Sequence, residues 1–111
     1  MRQLQKEITK GYSVILFTSP SCNPCKQMRI IIGALEKSHS SKANFYEVNT
    51  VENRSLAAAY NIKSVPTVVF KNGHQIKDRF AGFLDEVDIE SKLMNLLFDF
   101  NDNLKEMDGL Y

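Results

Sequence analysis

Two cysteines, Cys22 and Cys25, stand three positions apart in a chain of 111 residues that has no others. An apolar run, Val14-Ile15-Leu16-Phe17, leads into the pair, and a helix-like run over residues 26–35 leads out of it. That setting matters more than the spacing. The start of a helix offers unpaired backbone N–H groups and a partial positive charge, and both favour a thiolate over a thiol. A sulfur of lowered pKa with a second sulfur one turn behind it is suited to making and breaking disulfides.

Two plainer readings compete. As a structural staple, a bridge this short gains only about 2 kcal/mol of chain entropy, against about 3 for a 15-residue loop. A chain of this length also buries enough surface to fold without one. As half of a zinc site, the pair needs two more ligands. His39 and His74 are the only histidines and lie far apart, whereas finger-type sites space them about 3–5 residues apart. Redox chemistry is the leading expectation, and no metal is expected.

The elements that must hold this pair follow from periodicity. Leu4 and Ile8 suggest a first helix over residues 2–10, stopped at Gly11. Residues 13–17 form a continuously apolar strand, as at the centre of a sheet covered on both faces. Met28, Ile31, Ile32 and Leu35 give residues 23–37 one helical stripe. A strand over 44–49, a short helix over 53–60 and a strand over 67–71 come next. Asn72-Gly73 then signals a hairpin into a strand over 75–80. Asp85, Glu86 and Asp88 open a last helix whose stripe is Ile89, Leu93, Leu96, Leu97, Phe100 and Leu104. The order α-β-α-β-α-β-β-α calls for a mixed four-stranded sheet with helices on both faces.

Length bounds this to one domain, residues 1–111. Fourteen basic and thirteen acidic residues are evenly mixed, which gives no support to nucleic-acid or anionic-membrane binding. No apolar run approaches the roughly 18 residues of a membrane span. The opening residues carry no apolar signal-like region, so a cytoplasmic address is expected. A lone Cys-x-x-Cys in reducing cytosol is more often catalytic than structural. Asn53-Arg54-Ser55 matches a glycosylation sequon and is read as chance.

Three motifs together resemble the thioredoxin family: Phe17-Thr18-Ser19-Pro20-Ser21-Cys22-Asn23-Pro24-Cys25-Lys26, Val65-Pro66-Thr67-Val68-Val69-Phe70-Lys71-Asn72-Gly73, and Phe80-Ala81-Gly82. The resemblance runs over about residues 8–97. It implies a three-layer α/β/α sandwich around a central four-stranded mixed sheet. It also implies that Cys22 is an exposed nucleophile and Cys25 the resolving thiol, with no cofactor beyond their disulfide. Ser21, Asn23, Pro24, Val65, Pro66, Gly82 and Phe83 would line a substrate groove, though Gly82 also reads as a turn residue. The Val65–Pro66 bond is expected to be cis, and the Val65 backbone to pair with an extended substrate strand. Lys26 adds positive potential beside the sulfurs or is a solvated helix residue. The expected partners are protein disulfides and an electron donor, either a thioredoxin-reductase-like enzyme or a small thiol, acting on a monomer.

The departures are as informative. Leu16 stands where the family carries a buried aspartate, and Glu47 where it often has a lysine. Thr18 and Ser21 replace two aromatic positions, and Asn23 replaces a glycine. The family's first edge strand is expected to be missing. Residues 98–111 extend past the fold as a helical extension or tail. The alternative to an enzyme is a non-catalytic binding module, or a redox sensor, that uses the Val65–Pro66 groove.

Overall fold

The runs Val14-Ile15-Leu16-Phe17 and Val68-Val69-Phe70 are apolar at every position, and each is covered on both faces in a computed structural model that describes residues 1–98. They belong to strands β2 (Tyr12–Thr18) and β4 (Thr67–Asn72), which pair antiparallel at the centre of the sheet. On one side β2 is parallel to β3 (Asn44–Asn49). On the other, β4 turns through Gly73 into antiparallel β5 (Gln75–Ala81). Gly73 sits at φ +60, a conformation that costs glycine little and other residues more.

Helices α1 (Asn23–His39) and α3 (Glu86–Leu97) cover one face, and the short α2 (Arg54–Ala59) packs on the other. Strand alternation sorts the side chains between two cores. Val14, Leu16, Phe45, Val68 and Phe70 meet Met28, Ile32 and Leu35 of α1 and Ile89, Leu93 and Leu96 of α3. Ile15, Phe17, Tyr46, Val48 and Val69 meet Leu4, Leu56 and Tyr60. Each stripe expected of a helix is therefore a buried face, with Ile31 and Leu97 at its partly buried margin. Phe100 and Leu104, like residues 99–111 of the expected tail, lie outside the described residues.

The N-terminal segment corrects the reading of its sequence. Residues 2–10 are not a helix. Arg2–Gln3 form an edge strand, β1, parallel to β3 in the register Arg2↔Tyr46 and Gln3↔Glu47. The sheet accordingly has five strands, in the order β1-β3-β2-β4-β5, rather than four, and the edge strand expected to be missing is present but short. Leu4 and Ile8 have helical spacing, yet both are drawn to the face of the second core. The Leu4 N–H donates to the Glu47 carbonyl at 2.9 Å, and the Ile8 carbonyl accepts from Lys71 Nζ at 2.6 Å. Sheet pairing at Arg2–Gln3, burial of both side chains and these two bonds hold the segment in place without a helix.

Candidate active site

Strand register brings the three motifs to one pole of the sheet. Phe17 pairs with Thr67, and Thr67 with Ala81, so the ends of β2 and β5 and the start of β4 lie side by side. From Thr18 the chain leaves the sheet, passes through Ser19 to Ser21, and enters α1 at Cys22. The Cys22 N–H donates to the Ser19 carbonyl at 3.4 Å along the way.

Cys22 is the N-cap of α1. Its backbone is extended, at φ −100 and ψ 107, and its Sγ accepts the Cys25 N–H at 3.1 Å. A sulfur in this role takes up one of the orphan donors of the first turn. The two cysteines form a disulfide with an S–S distance of 2.19 Å. Cys22 retains 9% of its surface exposed and Cys25 none, so in this oxidised form Cys22 is the less buried of the two but not the exposed residue expected from the sequence. The first turn holds no acidic residue, so nothing opposes the helix's positive end. Pro24 lies in that turn, where a missing N–H leaves no bond unmade.

Ser21, Asn23, Pro24 and Lys26 are all exposed around the sulfurs. At the same pole, just ahead of Thr67, the Val65–Pro66 peptide bond is cis. Pro66 is buried, and its carbonyl accepts the Gly82 N–H at 2.8 Å, which draws Gly82 to this pole. Gly82 has φ +106, in the region that side-chain-bearing residues rarely adopt, so its role as a turn residue is real. Phe83 is 48% exposed. Thr67 Oγ1 holds the loop ahead of the proline by donating to the Ser64 carbonyl at 2.8 Å. Among the described residues, none hydrogen-bonds the backbone of half-buried Val65. A cavity of about 220 Å³ lined by Thr50, Ala57, Ile62, Lys63, Ser64 and Val65 adjoins it. All the anticipated site residues therefore gather on this pole, although the cavity beyond Val65 has no signature in the sequence.

Two partly buried polar clusters are also invisible to local reading. Near the pole, Glu47 accepts from Arg29 Nε at 2.8 Å, from Arg29 Nη2 at 2.9 Å and from Thr18 Oγ1 at 3.2 Å. The hydrogen bond to Glu47 and its charge outweigh burial and raise the Arg29 pKa. At the opposite end, Lys71 Nζ is buried and donates to Glu7 Oε1 at 2.5 Å and to Tyr60 Oη at 2.7 Å, while the Tyr60 hydroxyl donates to the same carboxylate. Burial pushes the Glu7 carboxyl up. The hydrogen bonds from Lys71 and Tyr60 and the Lys71 charge together exceed that push and leave it below its usual value. Burial first, then the Glu7 hydrogen bond and charge, hold the Tyr60 phenol well above its ordinary range. Among the described residues no group of His, Cys, Asp and Glu is arranged to hold a metal ion.

Known proteins resemble this chain in sequence and in fold. The chain is 33% identical over 86 residues to thioredoxin M4, chloroplastic, of Arabidopsis thaliana, an alignment that takes in 78% of this chain and 45% of that one. It is 32% identical over 91 residues to a thioredoxin of Porphyra purpurea, covering 80% of this chain and 84% of that one. The chain thus spans under half the length of the chloroplast relatives it matches. In three dimensions it superposes on the Malassezia sympodialis thioredoxin Mala s 13 with a TM-score of 0.79, at 23% identity over 86% of this chain and 90% of that one, which is a likeness of fold. The family description Thioredoxin matches residues 2–95. With both cysteines and the cis-proline inside that span, this chain belongs to the thioredoxin family.

Proposed function

We propose that this protein is a thiol–disulfide oxidoreductase that reduces protein disulfides through Cys22 and Cys25. The observation that carries this reading is Cys22 Sγ standing at the N-cap of α1 as acceptor of the Cys25 N–H. A thiolate there is hydrogen-bonded and faces the positive end of the helix, and each effect favours the charged sulfur. In the reaction, the Cys22 thiolate attacks one sulfur of a substrate disulfide and expels the other as a thiolate. Cys25, deprotonated, then attacks Cys22 Sγ, closes the Cys22–Cys25 disulfide and releases the second substrate thiol. Two electrons and two protons pass to the substrate, and the dithiol carries them without a further cofactor.

Val65 offers an unpaired N–H and C=O for a short β-augmentation by the extended substrate segment. Ser21, Asn23, Pro24, Gly82 and the exposed ring of Phe83 would form the remaining contacts, and Lys26 would add positive potential. Regeneration requires a thioredoxin-reductase-like enzyme or a small thiol, which suits a monomer working in a reducing compartment such as the cytosol. The direction of exchange depends on the potential of the pair relative to that compartment.

Cys25→Ser tests the reading. Insulin-reducing turnover is expected to stop, and mixed disulfides to accumulate on Cys22. A variant with both cysteines replaced by serine that still holds the same partners in full would instead mark the Val65–Pro66 groove as a binding module. That result, with no mixed disulfide from the single variant, overturns the enzyme reading.

A further inference from the structure

Glu47 is a nearly buried carboxylate for which the exchange reaction, as written, has no use. It lies on the α1 side of the sheet among apolar neighbours: Leu16 is its register partner on β2, and Phe45 shares its face on β3. An apolar side chain would suit that face. A carboxylate there requires partners for its oxygens, since an unpaired buried charge costs several kcal/mol, on the order of 3–5. It has three donors from two places. Arg29 binds both oxygens as a fork, the geometry in which an arginine–carboxylate pair exceeds an ordinary surface ion pair.

What the carboxylate joins is the informative part. Arg29 lies four residues after Cys25, one turn along the same side of α1. Thr18 is the last residue of β2, four before Cys22. The Thr18 carbonyl is itself held by the Thr50 N–H at 2.9 Å and by Thr50 Oγ1 at 3.0 Å. One side chain on β3 therefore ties together the point where the cysteine loop leaves the sheet and the helix turn that follows it.

We propose that the Glu47–Arg29–Thr18 bridge is a clamp that sets the reducing power of the Cys22–Cys25 pair, with Glu47 as a positioning residue. This rests on the exchange reading above. In the oxidised form the disulfide already fixes the loop, so the clamp's bonds are kept there at no further cost in conformational freedom. In the reduced form only the clamp and the helix cap keep the sulfurs near each other. Loosening it frees the dithiol state, lowers the effective concentration of one sulfur at the other, and makes the pair a weaker reductant.

The test is the equilibrium constant of the pair with glutathione in the wild type and in Thr18→Val, Thr18→Ser and Glu47→Gln. Thr18→Val removes the hydroxyl's bond to Glu47 and its longer one to the Val48 carbonyl at 3.5 Å, changes no charge and leaves the Arg29–Glu47 fork in place. Both Thr18→Val and Glu47→Gln are expected to disfavour the intramolecular disulfide by about tenfold, which is about 30 mV for a two-electron couple. Thr18→Ser, which keeps the hydroxyl, is expected to stay at the wild-type value. Thermal midpoints of both redox forms accompany each value, because a purely structural bridge lowers both equally and leaves the constant unmoved. An unmoved constant in Thr18→Val overturns the clamp while leaving the exchange reading intact, and it does so even if Glu47→Gln fails to fold. A wild type with no reversible couple overturns both.

Discussion

In the proposed exchange Cys22 uses one sulfur for two purposes, helix capping and redox chemistry, which makes its reactivity a consequence of local structure. Cys25 is wholly buried beneath it, so limiting alkylation of the reduced protein should modify Cys22 first, as read by peptide mass. Preferential labelling of Cys25 would reverse the assigned roles. The spacing of the pair made this chemistry legible, because a cap, a turn and a helix start are all local. The Lys71–Tyr60–Glu7 cluster was not legible. A lysine in a strand ordinarily faces water, and its burial is made tolerable by acceptors distant in sequence, among them a carboxylate 64 residues away. Its pH behaviour follows from the two shifts. Folding lowers the Glu7 pKa, so its contribution is complete above the unfolded value of about 4.5 and fades as pH falls through the folded one. Folding raises the Tyr60 pKa, so that contribution is complete below about pH 10 and is lost as pH rises beyond it. Glu7→Gln should therefore cost about 1 kcal/mol near neutrality, a figure kept small because the carboxylate is half exposed, and should flatten the acid limb of stability. Tyr60→Phe should flatten the alkaline limb. Urea midpoints across pH measure both, and unchanged limbs would contradict the assignment.

At the scale of elements, caps and stripes explain why most segments stand where the sequence puts them. Asp85 Oδ1 accepts the Asp88 N–H at 2.9 Å at the start of α3, and Glu86 and Asp88 add charge where the helix dipole favours it. Asp85→Ala should cost about 1 kcal/mol in urea unfolding. Leu93, buried between α3 and the sheet, should cost about 2–5 kcal/mol as Leu93→Ala, since the packed face has little room to collapse. A smaller loss at Leu93 than at the exposed cap would contradict the placement of the first core. The one element misread is residues 2–10, where two apolar residues at helical spacing are satisfied by a sheet edge and a core instead. Periodicity over so few residues does not distinguish those outcomes, and β1, at two residues, is too short to carry a strand pattern of its own.

Over the whole molecule, a central antiparallel pair flanked by a parallel crossover places the cysteine loop, the cis-proline and the Gly82 turn at one pole. The alternation of strands and helices made this architecture readable, because crossover handedness and strand order leave few topologies. What stayed hidden is what depends on cross-strand register: the clamp from Glu47 to both flanks of the cysteine loop, and the cavity beyond Val65. At this pole a working dithiol–disulfide couple is the expected property on which everything else depends. Its most direct test is the equilibrium reduction potential of Cys22–Cys25 in defined dithiothreitol and glutathione buffers, with insulin reduction followed in parallel. A reversible two-electron couple, more reducing than glutathione and accompanied by turnover, is the predicted result. The absence of any reversible couple would contradict the account and leave the fold as a binding scaffold.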